Sequence, residues 1–274
     1  MKVAVVSGAN KGIGFHIARG LCAGLPASST VYVGSRDAAN GERAAAAINA
    51  DGLRSNAKFL QLDLTDESSI SAAAATLRDA HPDGIDVLVN NAGFAFKNAA
   101  TEPTGVQAKV TLGVNYYGTR AVCAALVPLM KPNGRVVNVG SMAQSAVSGA
   151  LQEQLLSPSL DMPKLDELCA NFIRDAEAGI DLESRGWPTS TYAMSKAAVH
   201  GLTRIYAADQ LAAGNGVTVN VCCPGWCKSD MAGWDRPPKT AEEGADTPLY
   251  LALLEADGAA PTGLFYSDRR PRRW

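Results

Sequence analysis

The chain has 274 residues, 47% of them hydrophobic, enough to bury a large core at the upper end of what one α/β domain holds. Its 25 basic and 27 acidic residues nearly cancel, which argues against nucleic acid or an anionic membrane surface as a partner. Six cysteines follow no ladder of spacings and suit a reduced, cytoplasmic protein; the apolar stretch Ala121 to Met130 is too short to span a bilayer, and no signal peptide is expected.

Val3 to Ser7 is a short valine-rich run of the kind buried on both faces of a sheet, and it leads into Gly8-Ala9-Asn10-Lys11-Gly12-Ile13-Gly14, after which a helical pattern begins. Glycines at a strand-to-helix turn let the backbone bend tightly and let a pyrophosphate approach the N–H groups of the helix. The absence of Gly-Lys-Ser/Thr argues against a nucleoside triphosphatase loop. A second strand, Thr30 to Gly34, ends where a dinucleotide fold places the group that reads the adenosine ribose, and here stand Ser35 and Arg36. A guanidinium grips a 2′-phosphate that a carboxylate would repel, so NADP(H) is preferred over NAD(H), with Lys11 a second candidate contact. Asp37 is read as the cap of the next helix.

The rhythm repeats through Phe59 to Leu62, a helix from about Asp66 to Ala80, and the strand Ile85 to Val89. Strand and helix in alternation predict a doubly wound parallel sheet with helices on both faces. Asp63-Leu64 and Asn90-Asn91-Ala92-Gly93 then fall at the carboxyl ends of strands, where ligands sit in such sheets, although Asp63 could equally cap a helix. Thr101 to Met130 reads as largely helical, with Asn115 between Gly113 and Gly118, a costly choice in a helix interior. Arg135 to Val139 is a further strand, and Gly140-Ser141-Met142 puts a hydroxyl at the edge that carries the glycine turn.

Tyr192 and Lys196, four residues apart, leave the same face of a helix. A cation held beside a phenol favours the tyrosinate, so Lys196 is expected to lower the Tyr192 pKa toward the working range. The histidines, His16, His81 and His200, have no ligand spacing, and no metal is expected. The C-terminal arginines 269, 270, 272 and 273 read as a solvated tail.

Gly8-x-x-x-Gly12-x-Gly14, Asn90-Asn91-Ala92-Gly93, Asn115, Ser141, Tyr192-x-x-x-Lys196 and Pro224-Gly225 occur in the order and rough spacing of the short-chain dehydrogenase/reductase family, which the chain resembles over nearly its whole length. Within it the likeness is to the NADPH-dependent carbonyl reductases, through the Asn10-Lys11 form of the glycine turn, Gly186-Trp187-Pro188, Cys222 to Trp226, Glu243 to Pro248 and terminal Trp274. The resemblance implies one Rossmann-type domain over 1–274 that reduces aldehyde, ketone or quinone carbonyls with NADP(H). It implies Tyr192 as proton donor, Ser141 orienting the carbonyl, Lys196 binding the nicotinamide ribose, and Asn115 holding a water that links Lys196 to solvent. Pro224, Gly225 and Ser229, after a strand at 217–221, would shelter the nicotinamide, while Met142 and Trp226 would border the substrate. Cys227 and Lys228 depart from the pattern and are expected near the substrate mouth. The rival readings are an oxidative steroid or prostaglandin alcohol dehydrogenase and a non-catalytic dinucleotide sensor.

Ser141 and Tyr192 are farther apart than in most members, so about 144–186 reads as a helical insertion of the kind carbonyl reductases carry. Leu165, Leu168, Cys169, Phe172, Ile173 and Ala176 form one apolar stripe with Gly179 as a stop signal. In the family's dimers and tetramers the helices flanking this region form the main subunit contact. An inserted helix there would cover that surface and leave a monomer; the alternative is that the stripe is itself an interface.

Overall fold

The computed structural model of the protein describes residues 1–97, 99–255 and 260–274. The valine run forms β1 (Val3–Val6), and after the glycine turn come α1 (Gly12–Gly24), β2 (Thr30–Ser35), α2 (Ala38–Ala50), β3 (Asn56–Gln61), α3 (Glu67–Ala80) and β4 (Ile85–Asn90). There follow α4 (Thr104–Leu112), α5 (Thr119–Leu126), β5 (Met130–Val139), α6 (Gly149–Leu156), α7 (Met162–Glu177) and α8 (Thr191–Ala213). The chain closes with β6 (Thr218–Cys223), α9 (Ala241–Ala252), β7 (Phe265–Ser267) and β8 (Arg270–Arg272).

The strands make one sheet in the order β3-β2-β1-β4-β5-β6-β7-β8, parallel except for β8. Alternation along β1 divides the core: Val3 and Val5 face Ile70 of α3, Val122 of α5 and Ala197 of α8, whereas Ala4 and Val6 face Ile17 of α1, Ala44 of α2 and Leu251 of α9. The strand order reverses between β1 and β4, which opens a crevice at their carboxyl ends.

Four elements differ from the sequence reading. The long helix expected from 101 is broken by a π-helical turn at Gly113–Gly118 and ends in a short 3₁₀ turn, and β5 begins at Met130, five residues before the apolar run. A separate α6 precedes α7. The arginine tail is exposed as expected, yet Arg270–Arg272 is an antiparallel edge strand, with Arg269 paired to Asp246 through two nitrogens.

The apolar stripe of α7 is buried within the chain. Leu165, Cys169, Phe172 and Ala176 join the core, with Leu168 and Ile173 packed against it. Gly105 of α4 lets α7 approach, since a Cβ there would lie 2.6 Å from the Cα of Glu177. Asp166 accepts hydrogen bonds from the Tyr116 hydroxyl (2.7 Å) and from Arg120, and Trp187 Nε1 donates to Asp175 (2.8 Å).

Candidate active site

The turn after β1 is shaped by its glycines. Gly8 and Gly12 have φ of +62° and +58°, and a Cβ on Gly14 would lie 2.3 Å from the carbonyl oxygen of Gly8. Ser7 Oγ accepts from the N–H groups of Asn91 (3.1 Å) and Ala92 (3.0 Å), while Asn91 Nδ2 donates to the carbonyls of Ser7 (3.0 Å) and Gly8 (3.1 Å). The turn is thus tied to the end of β4. Lys11 stands at the N-cap of α1 without a side-chain cap bond, and among the described residues nothing outside the chain neighbours and the helix's own backbone comes within 4 Å of the Cβ position on Gly12. Free first-turn N–H groups facing open space are what a pyrophosphate requires, so the cradle fits a dinucleotide.

Along the crevice, Arg36 is exposed directly after β2, and Asp37 caps α2 by accepting from Asn40 N–H (2.7 Å). Asp63 caps nothing. It closes a turn by accepting from the N–H (2.9 Å) and hydroxyl (2.7 Å) of Thr65, and Asp66 is the cap of α3. Leu64 is buried against Gly118. Asn90 is turned into the sheet, its Nδ2 donating to Asn138 Oδ1 (2.8 Å), so its side chain is occupied within the sheet. Ala92 and Gly93 keep the floor low; a Cβ on Gly93 would meet Asn115 Oδ1 at 3.3 Å and Lys196 Nζ at 3.6 Å.

Asn115, Ser141, Tyr192 and Lys196 converge beside Gly93. The π-helical turn swings Asn115 inward, where its Oδ1 accepts from Phe94 N–H (2.7 Å) and its Nδ2 donates to the Phe94 carbonyl and to Ser195 Oγ (both 2.9 Å). The costly asparagine is therefore what locks the loop after β4 to α8. Ser190 caps α8 by accepting from Ala193 N–H (3.2 Å), which sets the phase that points Tyr192 and Lys196 at the end of β5. Lys196 Nζ is buried and donates to the Val139 carbonyl (2.7 Å), with the Tyr192 ring centroid 5.7 Å away. Ser141 Oγ accepts from Ala143 N–H (3.1 Å), fixing the hydroxyl at the first residue of a 3₁₀ turn.

The electrostatics differ from the sequence expectation. Burial pushes the Tyr192 phenol up to about 12, with a hydrogen bond to Ser141 pulling in the opposite direction. Burial likewise pushes Lys196 down to about 8. Desolvation, and not the neighbouring cation, sets the direction of the Tyr192 shift, which favours the protonated phenol. A protonated phenol beside a fixed hydroxyl is an acid ready to serve an incoming oxygen.

Beyond β6, Gly225 (φ +88°) follows Pro224, and a Cβ on it would strike the Lys239 side chain at 2.9 Å. Met142, Trp226, Met231 and Trp234 are exposed large apolar side chains. Ser229 exchanges backbone hydrogen bonds with Gly233 and accepts from Ala232 N–H through Oγ (3.2 Å). Cys227 is a correction: it is buried, donates to the Pro224 carbonyl (3.4 Å), packs against Gly244, and has its thiol pushed up to about 11 by burial, so it presents no thiolate to the mouth. Lys228 is half-buried. Sequence reasoning missed the ion pair from Lys11 to Asp230 (2.6 Å), which joins the glycine turn to this loop, and the parts played by Ser195 and the Val139 carbonyl. Among the described residues no cluster of three possible metal ligands occurs, and no helix is long and apolar enough to cross a membrane.

A family profile described as short chain dehydrogenase matches residues 2–151 and 184–239, and the unmatched stretch between them contains all of α7. Over 280 residues the chain is 43% identical to carbonyl reductase (NADPH) 1 of Pongo abelii, covering 100% of this chain and 99% of that protein. The Homo sapiens protein of the same name is 43% identical over 278 residues, 99% of this chain and 98% of its own. Among solved structures, salutaridine reductase from Papaver somniferum superposes with a TM-score of 0.81 at 29% identity, covering 97% of this chain and 99% of that one.

Proposed function

The chain belongs to the short-chain dehydrogenase family, and on that premise we propose that it is an NADPH-dependent carbonyl reductase that converts aldehydes, ketones or quinones to alcohols. The observation that carries this reading is the convergence of Asn115, Ser141, Tyr192 and Lys196 at the carboxyl edge of β5, with Asn115 bonded to Ser195 of α8 and Lys196 Nζ held by the Val139 carbonyl 5.7 Å from the Tyr192 ring. NADP(H) is the cofactor, and its nicotinamide supplies the hydride when bound. Gly8, Asn10, Lys11, Gly12, Ile13 and Gly14 would hold its pyrophosphate side and Arg36 its 2′-phosphate. Asp63, Leu64, Asn90, Ala92 and Gly93 would line the adenosine side, and Pro224, Gly225 and Ser229 the nicotinamide side.

Ser141 donates a hydrogen bond to the substrate oxygen and polarises it, and Tyr192 delivers the proton as negative charge develops there. Lys196, locked to Val139, would stabilise the tyrosinate left behind and would hold the nicotinamide ribose. Asn115 holds the loop that brings Gly93 beside Lys196, the side from which the proton is replaced. Met142 and Trp226 border the substrate. The oxidative reading uses the same residues with the proton moving the other way; the likeness to NADPH-dependent carbonyl reductases supports reduction, and a complete catalytic set speaks against a sensor. The working form is a cytoplasmic monomer; the burial of the α7 stripe within one chain supports the monomer. A panel of aldehydes, ketones and quinones followed by loss of NADPH absorbance tests the reading. Turnover with NADPH on at least one class is expected, and oxidation of alcohols alone would overturn it.

A further inference from the structure

α8 carries three residues spaced by four, Tyr192, Lys196 and His200, and all three meet the end of β5. Tyr192 is near enough to Ser141 for the serine hydroxyl to pull its pKa down, Lys196 donates to the Val139 carbonyl, and His200 packs on the residue between, where a Cβ on Gly140 would lie 2.5 Å from His200 Nε2. The first two contacts belong to the reaction. The third has no assigned part.

His200 is 2% exposed, and neither ring nitrogen has a hydrogen-bond partner among the described residues. Its ring is enclosed by Phe265 (centroids 4.6 Å apart) and by terminal Trp274 (5.0 Å). Burial holds the imidazole neutral, pushing it down to about 3, so one nitrogen is a donor and the other an acceptor. Buried polar groups of this kind are normally satisfied. The ring borders a cavity of about 20 Å³ that Gln144 and Gln152 also line, with Leu155, Gly201 and Trp274 closing it. That volume admits one water, and Gln144, Gln152 and His200 are residues with polar side chains among those that line it. Gln144 is itself buried and lies in the 3₁₀ turn that Ser141 begins, its N–H directed at the Ser141 carbonyl (3.4 Å).

We propose that His200 is a positioning residue for Ser141, acting through its contact with Gly140 and through one buried water shared with Gln144. It grips the Ser141 turn from both sides: the ring fixes the backbone before the serine, and the water fixes the turn after it. The serine hydroxyl is thereby held at the distance from Tyr192 that a shared substrate oxygen requires. His200 touches neither substrate nor cofactor, so its effect passes through Ser141.

This inference rests on the carbonyl reductase reading, and the experiment separates the two. His200→Leu keeps the packing volume and removes the polar atoms. It should lower kcat about ten-fold with NADPH affinity unchanged, yet lower kcat by less than about two-fold when Ser141 is already alanine. His200→Gln, which restores a donor and an acceptor, should recover at least about half of the parent kcat. Gln144→Met reaches the cavity from the other side and carries the same expectation as His200→Leu, so a folding failure of one variant leaves the other to decide. Losses that multiply independently with Ser141→Ala, or no rescue by glutamine, would overturn the proposal. A crystal structure of the parent checks the water without any turnover: density between His200 and Gln144 is expected, and a dry cavity sinks the idea. A parent that reduces no carbonyl compound would defeat the functional reading while leaving this last measurement to decide the water.

Discussion

The ammonium of Lys196 donates to the carbonyl of Val139 at 2.7 Å, which anchors the catalytic helix to the sheet two residues before Ser141. The anchor is buried, and burial shifts Lys196 from 10.5 to about 8. Between those pH values the unfolded chain holds a proton that the folded chain has released. The contribution of this group to stability is therefore lowest below pH 8 and rises as pH climbs toward 10.5. Urea unfolding of the parent and of Lys196→Met should show their difference moving in the parent's favour by about 3 kcal/mol across that window. A difference that stays flat with pH would remove burial as the cause of the shift.

Tyr192→Phe should bind NADPH nearly as the parent does and lose about 10²–10⁴-fold in carbonyl reduction, because it deletes only the proton donor. Ser141→Ala should lose about 10²–10³-fold in kcat by deleting a donor to the developing oxyanion. Fluorescence titration with NADPH and steady-state assays separate binding from chemistry. Near-normal turnover by Tyr192→Phe would make the mechanism untenable.

Arg36 is exposed at the end of β2 and Asp37 is occupied in capping α2, so the guanidinium is the free group at the ribose end. Arg36→Ala should weaken NADPH about 10-fold or more, the scale of a lost charge-assisted hydrogen bond, and leave NADH binding within about two-fold. Calorimetric titration with both nucleotides reads this directly. Equal weakening of the two would move the phosphate grip to Lys11, which its exposed, solvent-screened ion pair with Asp230 holds only weakly.

The valine runs of β1 and β4 and the glycine turn were legible because burial on both faces and close backbone approach each demand particular residue types. The start of β5 at Met130 was not, since Lys131, Pro132 and Asn133 carry no strand pattern and fall in the irregular stretch between Met130, which pairs with Ile85, and Arg135, which pairs with Val87. α6 escaped because Leu151 and Leu155 alone are too few to mark a period. Asn115, Ser141, Tyr192 and Lys196 could be named from spacing, but not the Val139 carbonyl that holds the lysine, because a backbone acceptor leaves no trace in composition. The sign of the Tyr192 shift and the burial of Cys227 failed for a shared reason: desolvation belongs to the packed molecule and not to a local stretch of chain.

The last prediction concerns assembly and follows from how α7 is seated. Phe172 is fully buried, and Arg120 of α5 pairs with Asp166, so α7 is bound to its neighbours by both apolar and ionic contacts. Phe172→Ala should cost about 3–5 kcal/mol of unfolding free energy, as a core residue does, whereas a residue kept for a subunit contact would change association and leave the monomer's stability alone. Gly105 gives a gentler probe, because a Cβ there meets the backbone of Glu177, which cannot yield as a side-chain tip could. Gly105→Ala should lift the end of α7 from α4 at a cost of about 1–3 kcal/mol. If α7 covers a surface through which copies would otherwise meet, that variant should gain mass with concentration, while the parent stays near 28.5 kDa by light scattering at every dilution. A parent mass of twice that value, unchanged on dilution, would mean that copies associate through some other face and that covering by α7 does not set the oligomeric state.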